Sequence, residues 1–370
     1  MKAAVCYEFG KPLVVEEVTL DPPQRGEVKV RLAATGICHS DIHDIKGELP
    51  GPLPFVPGHE CAGYVDEVGE GVTSVEPGDP VVVTFLSPCG KCVYCVSGLP
   101  HLCQAEWRLD RESPLRNKRG QRLAAKVKVG GFAEYVIVEE CQVVKIPADM
   151  PLDRAALLAC AVTTGFGAVV NRMQVKAMSS VVVIGAGGVG LNALQGAAFV
   201  GAYPVIAVDI LDTKLQAARA FGATHTVNAK QEDPINAVKA LTSGRGADYV
   251  FVTLGSIAAI RQGFSMTGPR GAAVIIGLPP ADEMMALSPL EFVRDERTLT
   301  GCFMGSVRPA VDIPRLVELY RAGRLKLDEL ITGRYPLEKI NEAIASVERG
   351  EALRNVIMFG PQARAASISR

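Results

Sequence analysis

Much that would narrow the function of this chain is missing from its sequence. Charge of one sign is missing: 39 Lys and Arg stand against 40 Asp and Glu, a formal net charge of −1. No global field therefore favours nucleic acid or a membrane surface as partner. No apolar run is long enough to span a bilayer. The opening Met1-Lys2-Ala3-Ala4-Val5 leads into no apolar signal region and no cleavage site, so the expectation is a cytoplasmic protein. There is no internal repeat and no low-complexity tract. The tail after Phe359, with Ala363, Arg364, Ala365, Ala366 and Ser367, carries no motif and reads as a frayed end. What is plentiful is length, glycine and cysteine. The 370 residues suffice for two domains and a large core. A hydrophobic content of 48% with 37 glycines suits an α/β enzyme with many tight turns. In a cytoplasmic setting the ten cysteines point to metal ligands in preference to disulfides.

The chain is organised around Val181-Val182-Val183-Ile184-Gly185-Ala186-Gly187-Gly188-Val189-Gly190. An apolar β-run enters a G-x-G-x-x-G turn, and an Ala/Leu-rich helical stretch follows. Gly185 allows the tight turn, Gly187 lets backbone approach a pyrophosphate, and Gly190 lets helix and strand pack closely. The helix N-terminus offers free N–H groups to phosphates. A Gly-rich turn alone is weak evidence, but a second strand, Val205-Ile206-Ala207-Val208, ends in Asp209. That is about 20 residues on, where an acid would bind the adenosine ribose hydroxyls.

The first 150 residues read as β-rich. Runs such as Val28-Lys29-Val30-Arg31-Leu32 and Val81-Val82-Val83-Thr84-Phe85 are punctuated by Pro22-Pro23, Gly51-Pro52 and Pro77-Gly78. From about Pro151 the pattern alternates. Helices are expected near 189–200, 213–221, 233–242 and 256–266, and strands at 181–184, 205–208, 248–252 and 272–276. This is the signature of a doubly wound parallel sheet. It ends near Thr298-Leu299-Thr300-Gly301-Cys302, and a helix from Pro314 to Ala322 follows.

Cys89-x2-Cys92-x2-Cys95-x7-Cys103 can wrap one tetrahedral Zn²⁺ within a loop, with Gly90 and Gly98 supplying turns. Four sulfurs leave no position for substrate, so this site is structural. A second set is dispersed: Cys38 in Gly36-Ile37-Cys38-His39-Ser40-Asp41-Ile42-His43, His59 in Gly58-His59-Glu60, and Cys160 before Thr163-Thr164-Gly165. Two cysteines and a histidine would leave one zinc position open, the catalytic arrangement. On spacing alone, a buried thiol or a satisfied core histidine is the commoner fate of each.

Taken together and in order, these pieces, with Leu353-Arg354-Asn355-Val356 near the end, resemble the zinc-dependent medium-chain alcohol dehydrogenases over essentially the whole chain. The resemblance implies an α/β protein: a GroES-like β-barrel catalytic domain (1–160, with the structural zinc loop 89–103), a Rossmann doubly wound parallel sheet (161–302), and a return to the catalytic domain (303–370), with the active site in the cleft between. It implies two zinc ions per chain, one catalytic on Cys38, His59 and Cys160 and one structural on the four-cysteine loop. Glu60 would lie beside the metal as an alternate ligand, and Asp41 would fix the His59 tautomer. Ser40 would take the proton from a zinc-bound alcohol, and His43 would pass it to solvent. His39 and Arg354 would contact the pyrophosphate, with Gly188 in the phosphate turn. Thr164 and Val189 would meet the nicotinamide, the Leu278 backbone its carboxamide, and Lys214 would support Asp209. The implied reaction is reversible oxidation of an alcohol to an aldehyde or ketone, through an alkoxide that gives hydride to the cofactor. Asp209 would repel a 2′-phosphate, so NAD is expected over NADP.

The resemblance has departures. A class of the family that oxidises the thiol adduct of formaldehyde carries tyrosine at the His43 position and an arginine just after the last structural cysteine. Here that region reads Gln104-Ala105-Glu106-Trp107-Arg108. From Gln104 to Gly130 there are eight Lys/Arg against three acids. They could steer an anionic substrate, a carboxylate or acyl-CoA, or form a solvated loop. Phe85 is expected at the substrate, with Trp107 and Met304 as further candidates, a lining suited to medium-chain, cyclic or aryl alcohols. The segment Leu299–Phe303 could pair across a two-fold axis, so a homodimer or homotetramer is expected. The competing readings are a dehydrogenase of the thiol adduct or of an anionic hydroxy substrate, a zinc-free reductase on the same domains, and a non-catalytic NAD-binding protein.

Overall fold

The computed structural model describes residues 1–49, 51–280 and 282–360; the tail discussed from Ala363 on lies outside them. The chain divides into two units, Met1–Cys160 with the chain from Arg308 on, and Ala161–Val307.

In the first unit the longest strand, Glu27–Gly36, carries Val28, Val30 and Leu32 into the core at alternate positions. Its sheet runs Val143–Lys145, Pro80–Val83, Glu60–Val68, Glu27–Gly36, Arg354–Met358, Ile331–Pro336, and Tyr135–Glu139 also pairs with Glu27–Gly36. The late strand Arg354–Met358 pairs antiparallel with it, Val356 opposite Gly36. A second sheet joins Lys2–Val5, Val14–Leu20, Leu115–Asn117, Arg122–Ala125 and Phe55–Val56. One apolar core, with Val30, Phe55, Val65, Val83, Phe132 and Ile357, lies in this unit. Burying a side chain such as Phe55 or Ile357 contributes about 1.5–3 kcal/mol. The helices that matter for the site are α1 (His39–Lys46), α2 (Val93–Val96), α3 (Arg108–Arg111) and α4 (Leu152–Leu157), the last packed on Glu27–Gly36 and Glu60–Val68.

The second unit opens with α5 (Ala161–Gly167). Among the described residues its sheet has six strands, all parallel, in the order His225–Asn228, Val205–Asp209, Val181–Ile184, Ala247–Val252, Thr267–Ile275, Thr298–Gly301. Val181–Ile184 is buried at every position, as an unbroken β-branched run should be in a sheet covered on both faces. The connections reverse direction beside it, which is the switch point where such sheets bind ligands. α6 (Gly188–Phe199) and α7 (Asp212–Ala220) follow the first two strands.

Two boundaries differ from the sequence reading. The second unit runs to Val307, not 302, because the turn Met304–Ser306 packs on α5. The helix expected from Pro314 is Pro309–Arg321. Pro309 occupies the first turn, where no N–H is needed, and Asp312 accepts the Arg308 N–H at 2.8 Å. Pro314, read as a start, lies inside.

Candidate active site

In the first unit Cys38, His59, Glu60 and Cys160 bring their ligand atoms within 4.8 Å of one another, all buried. Each comes from a different kind of position. Cys38 is the N-cap residue of α1, in extended conformation, where the free N–H groups favour a thiolate. His59 directly precedes the strand that Glu60 opens, and Cys160 follows α4. Asp41, fully buried, ties two of these pieces together. Its Oδ2 accepts the Cys38 N–H at 2.9 Å, and its Oδ1 accepts the Gly58 N–H at 3.1 Å and lies 2.9 Å from His59 Nδ1. With the Nδ1 proton on that bond, Nε2 turns its lone pair inward. Ser40 Oγ lies 3.5 Å from Nε2. Phe85 stands edge-on to the imidazole, ring centroids 5.5 Å apart.

The electrostatics are those of a site for a cation. The Cys160 thiol, then His59 and Arg354, hold the Cys38 thiol well below its usual range, while Cys38 holds Cys160 well above. Burial works against protonation of His59, but the Asp41 charge, its hydrogen bond and the Cys38 thiol together outweigh it and raise the group. Burial pushes Glu60 up to about 7 against the opposing Arg354 charge. Neither Glu60 oxygen has a hydrogen-bond donor; Arg354 Nη2 stands at 3.5 Å, an ionic contact only. A buried orphan carboxylate beside two thiols and an imidazole is costly unless a cation joins it. These residues fit a zinc ion.

The four-cysteine loop is built differently. Cys89, Cys92, Cys95 and Cys103 also converge within 4.8 Å, but half-exposed. The chain there wraps its own sulfurs: Cys92 N–H points at Cys89 Sγ (3.3 Å), and Cys89 N–H and Ala105 N–H at Cys103 Sγ (3.3 and 3.5 Å). N–H groups aimed at sulfur favour thiolate, and the donor set fits a closed tetrahedral zinc. Among the described residues no other such cluster occurs.

In the second unit Gly185 has φ +93°, a backbone only glycine adopts readily. A Cβ on Gly190 would stand 1.8 Å from the Gly185 oxygen, whereas one on Gly187 would meet nothing within 4 Å. The first glycine pair is thus required by the protein itself, and Gly187 leaves open space over the N-terminus of α6. That is a cradle fit for a pyrophosphate. Asp209 ends its strand with Oδ2 on the Ala186 N–H (2.7 Å) and Oδ1 on the Ile210 and Leu211 N–H groups (2.7 and 3.1 Å).

Residues 24–148 match the model of the alcohol dehydrogenase GroES-like domain, and 188–321 that of the zinc-binding dehydrogenase domain. The chain belongs to the zinc-dependent medium-chain alcohol dehydrogenases. It is 40% identical to the NDMA-dependent alcohol dehydrogenase of Amycolatopsis methanolica, over 96% of this chain and 98% of that one. Among solved structures it is similar to an alcohol dehydrogenase zinc-binding domain protein from Burkholderia ambifaria (TM-score 0.92, 35% identity, 97% and 98% of the two chains). It is also similar to benzyl alcohol dehydrogenase from Acinetobacter calcoaceticus (TM-score 0.90, 32% identity, 97% and 99%). The first unit is the family's GroES-like sheet domain and the second its Rossmann sheet. No helix among the described residues is long and apolar enough to cross a membrane.

Several residues to which the family resemblance gives roles have definite surroundings of their own in this structure. Arg354, expected at a pyrophosphate, is buried, with Nη1 on the Ile37 carbonyl at 2.9 Å and Nη2 facing Glu60. Lys214 lies in the first turn of α7, and no ion pair among the described residues joins it to Asp209, whose carboxylate is held by backbone N–H groups instead. Trp107 donates its indole N–H to the Ser87 carbonyl at 3.0 Å. Met304 is buried and receives the Thr164 hydroxyl at 3.4 Å. His43 binds Glu48 through Nδ1. His39 is exposed at the start of α1, Val189 is half-buried in the first turn of α6, and Leu278 is exposed. Of the eight basic residues between 104 and 130, seven are ion-paired: Arg108 with Glu27, Arg111 with Glu106, Arg116 with Asp21, Lys118 with Glu17, Arg122 with Glu112, Lys126 with Asp44, Lys128 with Asp110. That segment is a neutralised surface, which weakens the case for an anionic substrate.

Two contributors were not singled out from sequence. A Cβ on Gly36 would lie 2.3 Å from Glu60 Oε2, so this glycine makes the room in which Glu60 sits. Its place two residues before Cys38 was a legible signal. Thr253 Oγ1 donates to the Ile184 and Gly185 carbonyls (3.0 and 2.9 Å) and closes the glycine turn from the next strand; a threonine ending a strand announces nothing of the kind.

Proposed function

We propose that this alcohol dehydrogenase family member reversibly oxidises small alcohols to aldehydes or ketones with NAD, holding a catalytic zinc on Cys38, His59 and Cys160 and a structural one on Cys89, Cys92, Cys95 and Cys103. The observation that carries this is the buried meeting of Cys38, His59, Cys160 and an undonated Glu60 beside the Ser40 hydroxyl. Zinc bound there would supply Lewis acidity that lowers the pKa of a substrate hydroxyl. NAD would supply the hydride acceptor.

The chain's own groups do the rest. Asp41 holds the His59 proton on Nδ1, keeping Nε2 free to ligate. Ser40 Oγ accepts the hydroxyl proton, and His43, one turn along α1 and anchored by Glu48, hands it to solvent. Phe85 covers the imidazole edge and lines the substrate side, favouring aryl, cyclic or medium-chain alcohols. Gly185, Gly187, Gly188 and Gly190 present the α6 N–H groups to the pyrophosphate, with His39 and Arg354 adding charge. Asp209 selects a free 2′-hydroxyl with Lys214 nearby in sequence, and Thr164, Val189 and the Leu278 backbone flank the nicotinamide. Thr298–Gly301, the last strand of its sheet, is a natural two-fold pairing edge for a homodimer, within a tetramer or alone. A cytoplasmic setting suits the reduced cysteines.

The relative named for NDMA dependence favours a second reading, in which turnover requires NDMA and no free NADH accumulates. One experiment tests both. Purified protein is given benzyl, linear, cyclic and secondary alcohols, and formaldehyde with thiols, with NAD alone and with NDMA. NADH formation that stops in a Cys38→Ser variant supports the first reading. Turnover only with NDMA supports the second, and none in either arm overturns both.

A further inference from the structure

The basic segment that the reaction leaves unused contains a strained turn at a particular place. Val127, β-branched, has φ 51° and ψ 38°, and Lys128 has φ 59°. Both are left-handed, a region such side chains avoid and one that marks a functional constraint when a structure keeps it. The turn sends its two lysines apart. Lys126 Nζ lies 3.1 Å from Asp44 Oδ1, in the last turns of α1. Asp44 is fully buried, and Lys126 is mostly so, over the Phe55 ring at 5.6 Å. Gly51 stays clear of it: a Cβ there would be 2.5 Å from Nζ.

Lys128 reaches the base of the four-cysteine lobe. Its Nζ is 2.9 Å from Asp110 Oδ1 and 3.1 Å from Ser87 Oγ. Asp110 in turn caps α3 by accepting the Trp107 N–H at 2.9 Å, and the Trp107 indole N–H bonds the Ser87 carbonyl at 3.0 Å. Ser87 enters the lobe two residues before Cys89, and Trp107 leaves it after Cys103. The four side chains Lys128, Asp110, Trp107 and Ser87 thus knot the lobe's two ends together. Gln142 fixes the turn from behind, donating to the Lys128 carbonyl at 3.4 Å and to the Thr84 carbonyl at 2.9 Å, next to Phe85.

We infer that the Lys126-Val127-Lys128 turn is a positioning element that couples the four-cysteine lobe to α1, the helix bearing Cys38, Ser40, Asp41 and His43. One rigid turn with a salt link at each end makes order at the lobe base and order in α1 parts of a single equilibrium, and such coupling is reciprocal. It gives the lobe a task for the active site without any lobe residue touching it. The inference concerns the first unit alone and stands whether or not the chain turns over an alcohol.

Hydrogen exchange and tryptophan emission test it in the metal-loaded full chain. Lys128→Met, which touches no α1 residue, is expected to speed exchange of the 39–46 amides by about threefold or more. Asp110→Asn, milder, should do the same if Lys128→Met folds poorly. Conversely, Lys126→Met should shift the emission of Trp107, the only tryptophan, while Lys126→Arg leaves both readouts as in wild type. Faster exchange confined to 84–112 and 126–130 in the Lys128 and Asp110 variants, with α1 unchanged, overturns the inference. So does an unaltered Trp107 emission in Lys126→Met.

Discussion

The two cysteine-based centres lie in the same unit and share an ion-ready donor set, yet they are built in opposite ways. The lobe gathers its ligands within Cys89–Cys103 and holds them with its own N–H groups, half-exposed. The other centre draws ligands from Cys38 to Cys160, fully buried, each set by a different element: an N-cap, the start of a strand, the end of α4. A local site can be written in a loop, but it fills every position with sulfur. A dispersed site needs the whole sheet core to exist first. In return it can place a hydroxyl (Ser40), a ring (Phe85) and an orphan carboxylate (Glu60) around a position that no protein ligand must fill.

Breaking one ligand on each side sharpens that contrast most. Cys38→Ser should lower alcohol turnover by about 10³-fold or more, the several kcal/mol a catalytic metal supplies, with thermal unfolding little changed. Cys103→Ser should do the reverse, lowering stability by several kcal/mol, about what a structural site contributes to a loop, with a smaller loss of turnover per folded molecule. Calorimetry and initial rates on both variants check the pair. If both lose stability equally and activity equally, the division of labour fails.

Asp41→Asn probes the dispersed centre through its support. Without the carboxylate charge His59 loses its tautomer lock and two N–H groups lose their strong acceptor. Metal affinity there should fall by about 10- to 100-fold, read by chelator competition, while the lobe keeps its metal. The smallest effect lies under the lobe. Glu139, opposite Glu27 in the strand pairing, is pushed by burial up to about 7, as Glu60 is at the other centre. Its folded form holds the proton more tightly than the unfolded chain does, so stability is full below about pH 4.5 and falls as pH rises towards 7. Glu139→Gln should leave the melting point at pH 5 unchanged and raise stability at pH 8 by about 1 kcal/mol, after allowing for solvent screening. A flat difference between the two pH values would refute this.

Legibility followed the same divide. The lobe and the glycine turn could be read directly, because local spacing and local backbone demand specify them: Cys-x2-Cys needs no tertiary context, and Gly185 and Gly190 answer to each other within one turn. Asp41 was readable only through resemblance, and even so its hold on Cys38 and Gly58 was not foreseen, since a carboxylate three residues into a helix looks the same whether it faces solvent or a core. The surroundings that Arg354 and Lys214 take in this structure were out of reach for a related reason. A long cation's partner depends on which buried acid or carbonyl stands closest after folding, and that is a property of strand register. The basic segment was open between a steering field and a solvated loop for the same reason: three of the acids that pair with it, Glu106, Asp110 and Glu112, lie within it, but the other four, Glu17, Asp21, Glu27 and Asp44, come from distant parts of the chain.

The most direct test of the central claim is zinc content measured alongside NADH formation for wild type and Cys38→Ser. The account predicts about two zinc ions per wild-type chain and about one in the variant, with the remaining ion in the lobe and alcohol-dependent turnover gone. A variant that loses its ion and still turns over alcohol at the wild-type rate, or a wild type that binds only the lobe ion and is fully active, would contradict it.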